Sequence, residues 1–159
     1  MKKIMLTQQT FTIVNDEDYK RLAPFKWYNH HGYAVRNIQV GYKKRKSLSM
    51  HQVILKPRKG FEIDHINGNE LDNRRSNLRR VTHANNMFNQ KKRTFRGAPT
   101  TSKYRGVSFT QGTWRAMIGY HYKNILVGRF DNEIEAARAY DKAARKLHGK
   151  FARLNMPPE

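Results

Sequence analysis

The chain has 159 residues and a mass of 18.8 kDa, room for one ordinary domain or two small ones. It carries 32 Lys and Arg against 12 Asp and Glu, a formal charge of +20. That much like charge repels itself in a compact chain, so a polyanionic partner is expected, nucleic acid first. The absence of cysteine excludes a disulfide framework, a thiolate zinc site and a cysteine nucleophile. A content of 38% hydrophobic and 11% aromatic residues is too apolar for a disordered basic tail. No apolar run reaches the length of a membrane span and no signal-peptide core follows Met1-Lys2-Lys3, so a soluble, non-secreted protein is expected.

The charge is spread along the chain. Residues 1–50 carry net +7, residues 51–90 +3, residues 91–102 +4 and residues 103–159 +6. A surface that follows a phosphate backbone fits this better than one basic tail. Residues 91–102 are polar, basic and without sustained periodicity, and end in Gly, Pro, Thr and Ser. They read as a basic linker between a module at 1–90 and a module at 103–159.

Met1 to Val14 alternates loosely around Gln8-Gln9, which suggests a hairpin. Asp16-Glu17-Asp18-Tyr19 opens a short helix, with acids at its positive end. Phe25, Trp27, Tyr28, Tyr33 and Val35 are expected in the core, because a small domain without disulfides needs large aromatics to bury enough area. Lys43-Lys44-Arg45-Lys46 reads as a hairpin tip; spacing does not separate a solvated tip from one that touches phosphates.

The chemistry lies between Phe61 and Asn89. Ile63 closes a short strand, Asn67-Gly68-Asn69 turns the chain, and Leu78 and Val81 mark a second strand. Thr82 caps a helix that begins at His83. Asp64 offers a hard oxygen, His65 an imidazole, and Asn86 an amide oxygen. A hard divalent cation accepts few protein oxygens plus water and substrate phosphate, and an imidazole can take a proton from water near neutral pH. Together these groups suit phosphodiester hydrolysis. A calcium loop is set aside, because Ile66 occupies its first alternate position after Asp64. An Asn/Asp-rich turn with a surface histidine has the same spacing and stays open.

These residues resemble the HNH endonucleases of the ββα-metal (His–metal finger) class. The resemblance rests on Asp64-His65, Asn67-Gly68, Asn73-Arg74-Arg75-Ser76-Asn77-Leu78-Arg79 and Asn86. It implies His65 as general base, Asp64 and Asn86 as ligands of one Mg2+ or Mn2+ ion, and Asn77 as the residue that bridges the loop and holds His65. Asn85 and Asn89 are alternative ligands, because helix phase is not fixed by one sequence. Phe11 to Tyr19, Lys26-Trp27-Tyr28, Gly32-Tyr33-Ala34 and Met50-His51-Gln52-Val53-Ile54 look like the upstream part of phage and bacterial members. The intervals of 12 residues from His65 to Asn77 and 9 from Asn77 to Asn86 look like those of phage homing endonucleases, and the resemblance implies a homing-type enzyme, phage- or prophage-encoded, acting in a bacterial cytoplasm. His51 is expected to be structural.

Residues 103–130 hold three short β-like runs, Tyr104–Phe109, Trp114–Tyr120 and Ile125–Phe130, with Gln111-Gly112 and Lys123-Asn124 as turns. Asp131 is the expected helix cap, and Ala136, Ala137, Tyr140, Ala144 and Leu147 form one apolar face. Asp141 and Arg145 are spaced as a supporting pair. A three-stranded sheet on one helix leaves its other face to Arg105, Arg115 and Arg129, with Trp114 nearby, and such a ribbon can enter a major groove. Tyr104-Arg105-Gly106-Val107, Trp114-Arg115-Ala116, Val127-Gly128-Arg129-Phe130, Glu135 to Ala144, Leu147-His148-Gly149 and Leu154-Asn155-Met156-Pro157 resemble the APETALA/ethylene-response-factor type DNA-binding domain. Ser108, Gly119 and Leu126 depart from that pattern, so its target sequence does not carry over.

The fold class expected is therefore α+β: a β-rich start leading into a ββα-metal HNH unit, a basic linker, and a three-stranded antiparallel sheet packed on one helix. The expected partner is double-stranded DNA, with no membrane and no obligate protein partner. A non-catalytic DNA-binding regulator and an RNA-binding protein are the competing readings.

Overall fold

The computed structural model describes residues 1–90 and 101–156. The chain is mixed α and β and falls into two compact units, Met1–Asn86 and Met87–Glu159.

In the first unit β1 (Lys2–Met5) and β2 (Phe11–Val14) form the expected antiparallel hairpin. Helix α1 (Asp16–Leu22) follows with Asp16, Glu17 and Asp18 in its first turn. Strands β3 (Tyr28–His30), β4 (Tyr33–Gly41) and β5 (Lys44–Ser49) make an antiparallel sheet in that order. Helix α2 (Met50–Ile54) leads to β6 (Glu62–His65) and β7 (Leu78–Val81), which pair antiparallel, and then to α3 (His83–Asn89), within which the second unit begins at Met87. Thr82 caps α3 as the sequence suggests: its Oγ1 accepts from the Asn85 N–H at 3.3 Å. Ile4, Leu6, Val14, Leu22, Trp27, Ala34, Met50, Ile54 and Leu78 pack as one core.

Three of the aromatics expected in that core lie elsewhere, and one of them, Tyr28, is half-buried with its hydroxyl donating to Asn37 Oδ1 at 3.0 Å. Trp27 is buried and its indole N–H donates to the Leu22 carbonyl at 2.9 Å. Phe25 is exposed, with the Arg36 guanidinium 3.7 Å above its ring. Tyr33 is partly exposed and turns toward His51 and His65. A ring with a cation on its face gains that attraction without full burial.

In the second unit β8 (Val107–Thr110), β9 (Thr113–Tyr120) and β10 (Lys123–Phe130) form an antiparallel sheet with β9 central. Helix α4 (Glu133–His148) packs on it through Ala136, Ala137, Tyr140 and Ala144, against Val107, Ala116 and Ile118. The small alanines let helix and sheet approach closely. Gly106, at φ +71°, has no room for a Cβ, which would strike the Tyr140 ring and the Met117 carbonyl.

Local details differ from the sequence reading. The β9–β10 turn is His121-Tyr122, both at positive φ, and Lys123 and Asn124 belong to β10. Asn132, not Asp131, caps α4, accepting from the Glu135 N–H at 2.8 Å. Asp141 is buried and accepts from the backbone N–H groups of Asn155 and Met156, each at 2.8 Å, so it ties down the chain after α4. The expected linker at 91–102 lies mostly outside the described residues. Its end, Ser102, is buried and accepts from the Tyr104 N–H at 3.0 Å, so it is part of the second unit's packing.

Candidate active site

Strand β6 carries Asp64 and His65 to the same end of the first unit's small hairpin, and both are buried. Asp64 sits opposite Arg79 in the β6–β7 register, and its Oδ2 accepts from the Arg79 guanidinium at 2.7 Å. Glu62 lies two residues earlier, on the same face of β6. Its Oε2 accepts from Asn86 Nδ2 at 2.5 Å, and its Oε1 lies 2.8 Å from His83 Nδ1. Hydrogen bonds from His83 and then Asn86 hold the Glu62 carboxyl below its ordinary range. The amide of Asn86 is thereby oriented. Its NH2 end is spent on Glu62, and its oxygen remains the donor atom.

The loop between β6 and β7 is closed by Asn77. Its Oδ1 accepts from the Asn67 N–H at 3.0 Å, while its Nδ2 donates to Asn67 Oδ1 at 3.0 Å and to the Asp72 carbonyl at 2.8 Å. Asp72 in turn accepts from Asn67 Nδ2 and from the Arg74 guanidinium, and Arg74 holds its carboxyl low. Arg75 reaches back to buried Asp18 of α1 at 2.8 Å. The loop is thus stapled at both ends before His65 is considered.

His65 Nε2 lies 3.3 Å from Asn73 Oδ1. The His51 ring stands edge-on to it with centroids 5.2 Å apart, and Tyr33 is 6.0 Å away. Burial disfavours the charged ring and lowers the pKa of His65, against the opposing pull of Asn73 and nearby carboxylates. Burial first, and then His65, pushes His51 down to about 4. Two neutral imidazoles therefore meet beneath the loop. His51 buttresses His65.

A hard divalent cation suits the donors present. Asp64 supplies a carboxylate and Asn86 an oriented amide oxygen, the sparse set that leaves places for water and phosphate. No trio of His, Cys, Asp or Glu gathers into a full protein cage among the described residues. The sequence reading places Asn73 and Arg79 in the motif without a role, and it singles out neither Glu62 nor Thr12. The period-2 position of Glu62 was a usable signal. Nothing along the chain links Thr12 to a residue 61 positions away.

In the second unit the expected base-reading residues separate. Ser108, Arg115 and Arg129 stand in one row across the sheet. Arg129 is exposed, and Arg115 Nε is buried without a hydrogen-bond partner among the described residues. Trp114 is on the opposite face, in phase with buried Ala116 and Ile118, and its ring packs against Phe109 with centroids 5.0 Å apart. Alternation along a strand sends neighbours to opposite faces, so Trp114 and Arg115 do not share a surface. Arg105 precedes the sheet. Its guanidinium donates to the carbonyls of Met87, at 3.1 Å, and Gln90, and so serves the unit's own backbone.

Residues 56–88 match the HNH endonuclease family model. An uncharacterized HNH endonuclease of Acanthamoeba polyphaga mimivirus is 27% identical over 150 residues, covering 92% of this chain and 75% of that protein. The C-terminal region is similar to plant proteins. APETALA2-like protein 2 of Oryza sativa subsp. indica is 46% identical over 61 residues, 36% of this chain and 14% of that protein. Dehydration-responsive element-binding protein 2D of Arabidopsis thaliana is 43% identical over 67 residues, 39% of this chain and 32% of its own length. No solved structure matches. The chain thus has one segment similar to HNH endonucleases and another similar to APETALA2-like proteins. It spans only a small part of the plant relatives it matches.

Proposed function

We propose that this protein is a divalent-metal-dependent endonuclease of the ββα-metal kind that hydrolyses phosphodiester bonds in double-stranded DNA. The observation that carries this reading is the pair Asp64 and His65 on β6, with Glu62 of the same strand holding the Asn86 amide by its nitrogen. His65, kept neutral by burial, accepts a proton as water attacks phosphorus. Asn77 keeps the loop closed around it. Asp64 and Asn86 would hold Mg2+ or Mn2+, and such an ion supplies positive charge to the phosphorane and the leaving oxygen. Buried His51, edge-on to His65, limits bulk water on that side of the ring.

The C-terminal unit is proposed to hold the enzyme on DNA, with Arg115 and Arg129 facing it. Support comes from the unmet buried donor of Arg115 and from what the plant relatives' names say those proteins bind. The same reading divides labour between catalysis at 1–90 and binding at 103–159. It makes the protein a homing-type enzyme of phage or prophage kind in a bacterial cytoplasm, for which the support is the resemblance of residues 11–19 and 50–54.

Incubating the protein with phage DNA and magnesium, then mapping the new ends by sequencing, tests the reading. Cleavage is expected to stop with chelator while binding persists. His65→Ala should lower turnover roughly a hundredfold or more with little change in affinity. Intact turnover in His65→Ala and in Asp64→Ala would place the chemistry elsewhere, absence of cleavage by the unaltered protein with magnesium would favour a non-catalytic regulator, and preference for RNA in competition would overturn the duplex-DNA assignment.

A further inference from the structure

The side chains behind His65 form a directed chain that reaches β2. Thr12, Asn73 and His65 are all buried, Thr12 and Asn73 completely. Thr12 Oγ1 lies 2.7 Å from the Leu71 carbonyl, with the Met50 sulfur at 3.9 Å as the weaker contact. A carbonyl oxygen only accepts, so the single hydroxyl proton of Thr12 points at Leu71. Toward Asn73, at 2.8 Å, Thr12 Oγ1 must therefore accept. Only the amide nitrogen of Asn73 can donate there, and the Glu70 carbonyl at 3.4 Å asks for the same end. The amide oxygen is left facing His65 Nε2 at 3.3 Å.

The frame that holds this chain is backbone. Ile13 N–H donates to the Leu71 carbonyl at 2.9 Å, and Asn73 N–H donates to the Ile13 carbonyl at 2.8 Å. Residues 71–73 of the loop run parallel to β2 through the Ile13–Asp72 bridge. The distance from Thr12 to Asn73 is therefore set by a pair of main-chain hydrogen bonds and not by side-chain packing alone.

From this geometry we infer that Thr12 and Asn73 are positioning residues that hold His65 as its Nε2–H tautomer and so present the Nδ1 lone pair as the base. An amide oxygen can only accept, so Nε2 must carry the proton in either charge state of the ring. A flipped Asn73 would set its oxygen against the Thr12 and Glu70 oxygens, both acting as acceptors. The hydroxyl of a residue 53 positions before His65 thus selects which imidazole nitrogen does chemistry. The inference rests on the reading of His65 as general base.

The experiment uses full-length protein with 15N-labelled histidine. Long-range proton–nitrogen spectra distinguish the two neutral tautomers, and His65→Gln assigns the resonance among the seven histidines. The expected result is an Nε2–H ring at position 65. Thr12→Val removes the acceptor and the donor while keeping the shape, and should mix the tautomers. Turnover on duplex DNA should fall roughly tenfold with KM changed less than twofold, as for other residues that orient an active group. Thr12→Ser should restore both tautomer and turnover. An Nδ1–H ring in the unaltered protein, or an unchanged spectrum and turnover in Thr12→Val, would overturn the inference. A ring that obeys Thr12 in a protein that cuts no DNA would uphold the relay and sink the nuclease reading instead.

Discussion

Asp64 and Arg79 face each other across the β6–β7 ladder, and the guanidinium holds the carboxylate at 2.7 Å in a mostly buried pair. The carboxylate proposed to hold a cation is thus already paired with one of the chain's own charges. Removing one partner of such a pair leaves an uncompensated buried charge, which costs about 3–5 kcal/mol. Arg79→Gln is therefore expected to lower the thermal midpoint sharply in chelator. Magnesium or manganese should recover part of that loss, because a cation replaces the missing charge. Melting curves with and without the ion check this; equal losses in both conditions would count against a cation at Asp64.

Glu62 orients the Asn86 amide from outside the proposed ligand set. Residues in that position commonly set metal affinity by roughly ten- to a hundredfold. Glu62→Ala should shift the magnesium dependence of cleavage upward by about tenfold, with saturating turnover nearly kept. Loss of turnover at every magnesium concentration would mean that Glu62 acts in the chemistry itself.

His51 gives the fold a specific acid sensitivity. Its ring is buried neutral, with a pKa of about 4 against an ordinary 6.5. Between those values the unfolded chain binds more protons than the folded one, so stability falls as pH drops through that window. The full effect is on the order of 3 kcal/mol, reached below the lower value. Asp72, held low chiefly by Arg74, and Asp18, held low by Arg75 and Arg21 against burial, lose their contributions at more acid pH. Urea midpoints measured from pH 7 to pH 4 should decline, and His51→Gln should flatten that decline. An unaltered slope in the variant would place the protonation elsewhere.

Arg115 and Arg129 stand directly across the strands from one another. Like charges in that register destabilise a sheet by a few tenths of a kcal/mol to about 1 kcal/mol unless an anion lies between them. Arg129→Gln should therefore stabilise the free protein slightly while weakening DNA binding and reducing the salt slope by about one counterion. Deleting residues 103–159, which carry net +6, should reduce both slope and selectivity much further. Affinity for target and scrambled duplexes across a salt series measures both. Equal slopes in the full and truncated chains would remove the second unit from the binding surface.

Local pattern alone set much of this molecule. The alternation around Gln8-Gln9, the Asn-rich turn after His65, Thr82 at the start of α3 and the alanine face of α4 each specify their element within a few residues. The motif from Asp64 to Asn86 was legible because spacing along a strand, loop and helix is itself local. Tertiary structure decided what surrounds those groups. Arg36 kept Phe25 at the surface, strand phase sent Trp114 into the core, and Arg105 went to backbone carbonyls. Above all, β2 lies along the loop at residues 71–73, which sets Thr12 behind Asn73 and Asn73 behind His65. No periodicity joins positions 61 residues apart. Their meeting depends on the buried polar groups of both segments finding each other, because a buried donor or acceptor left unpaired costs more than closing the chain between them.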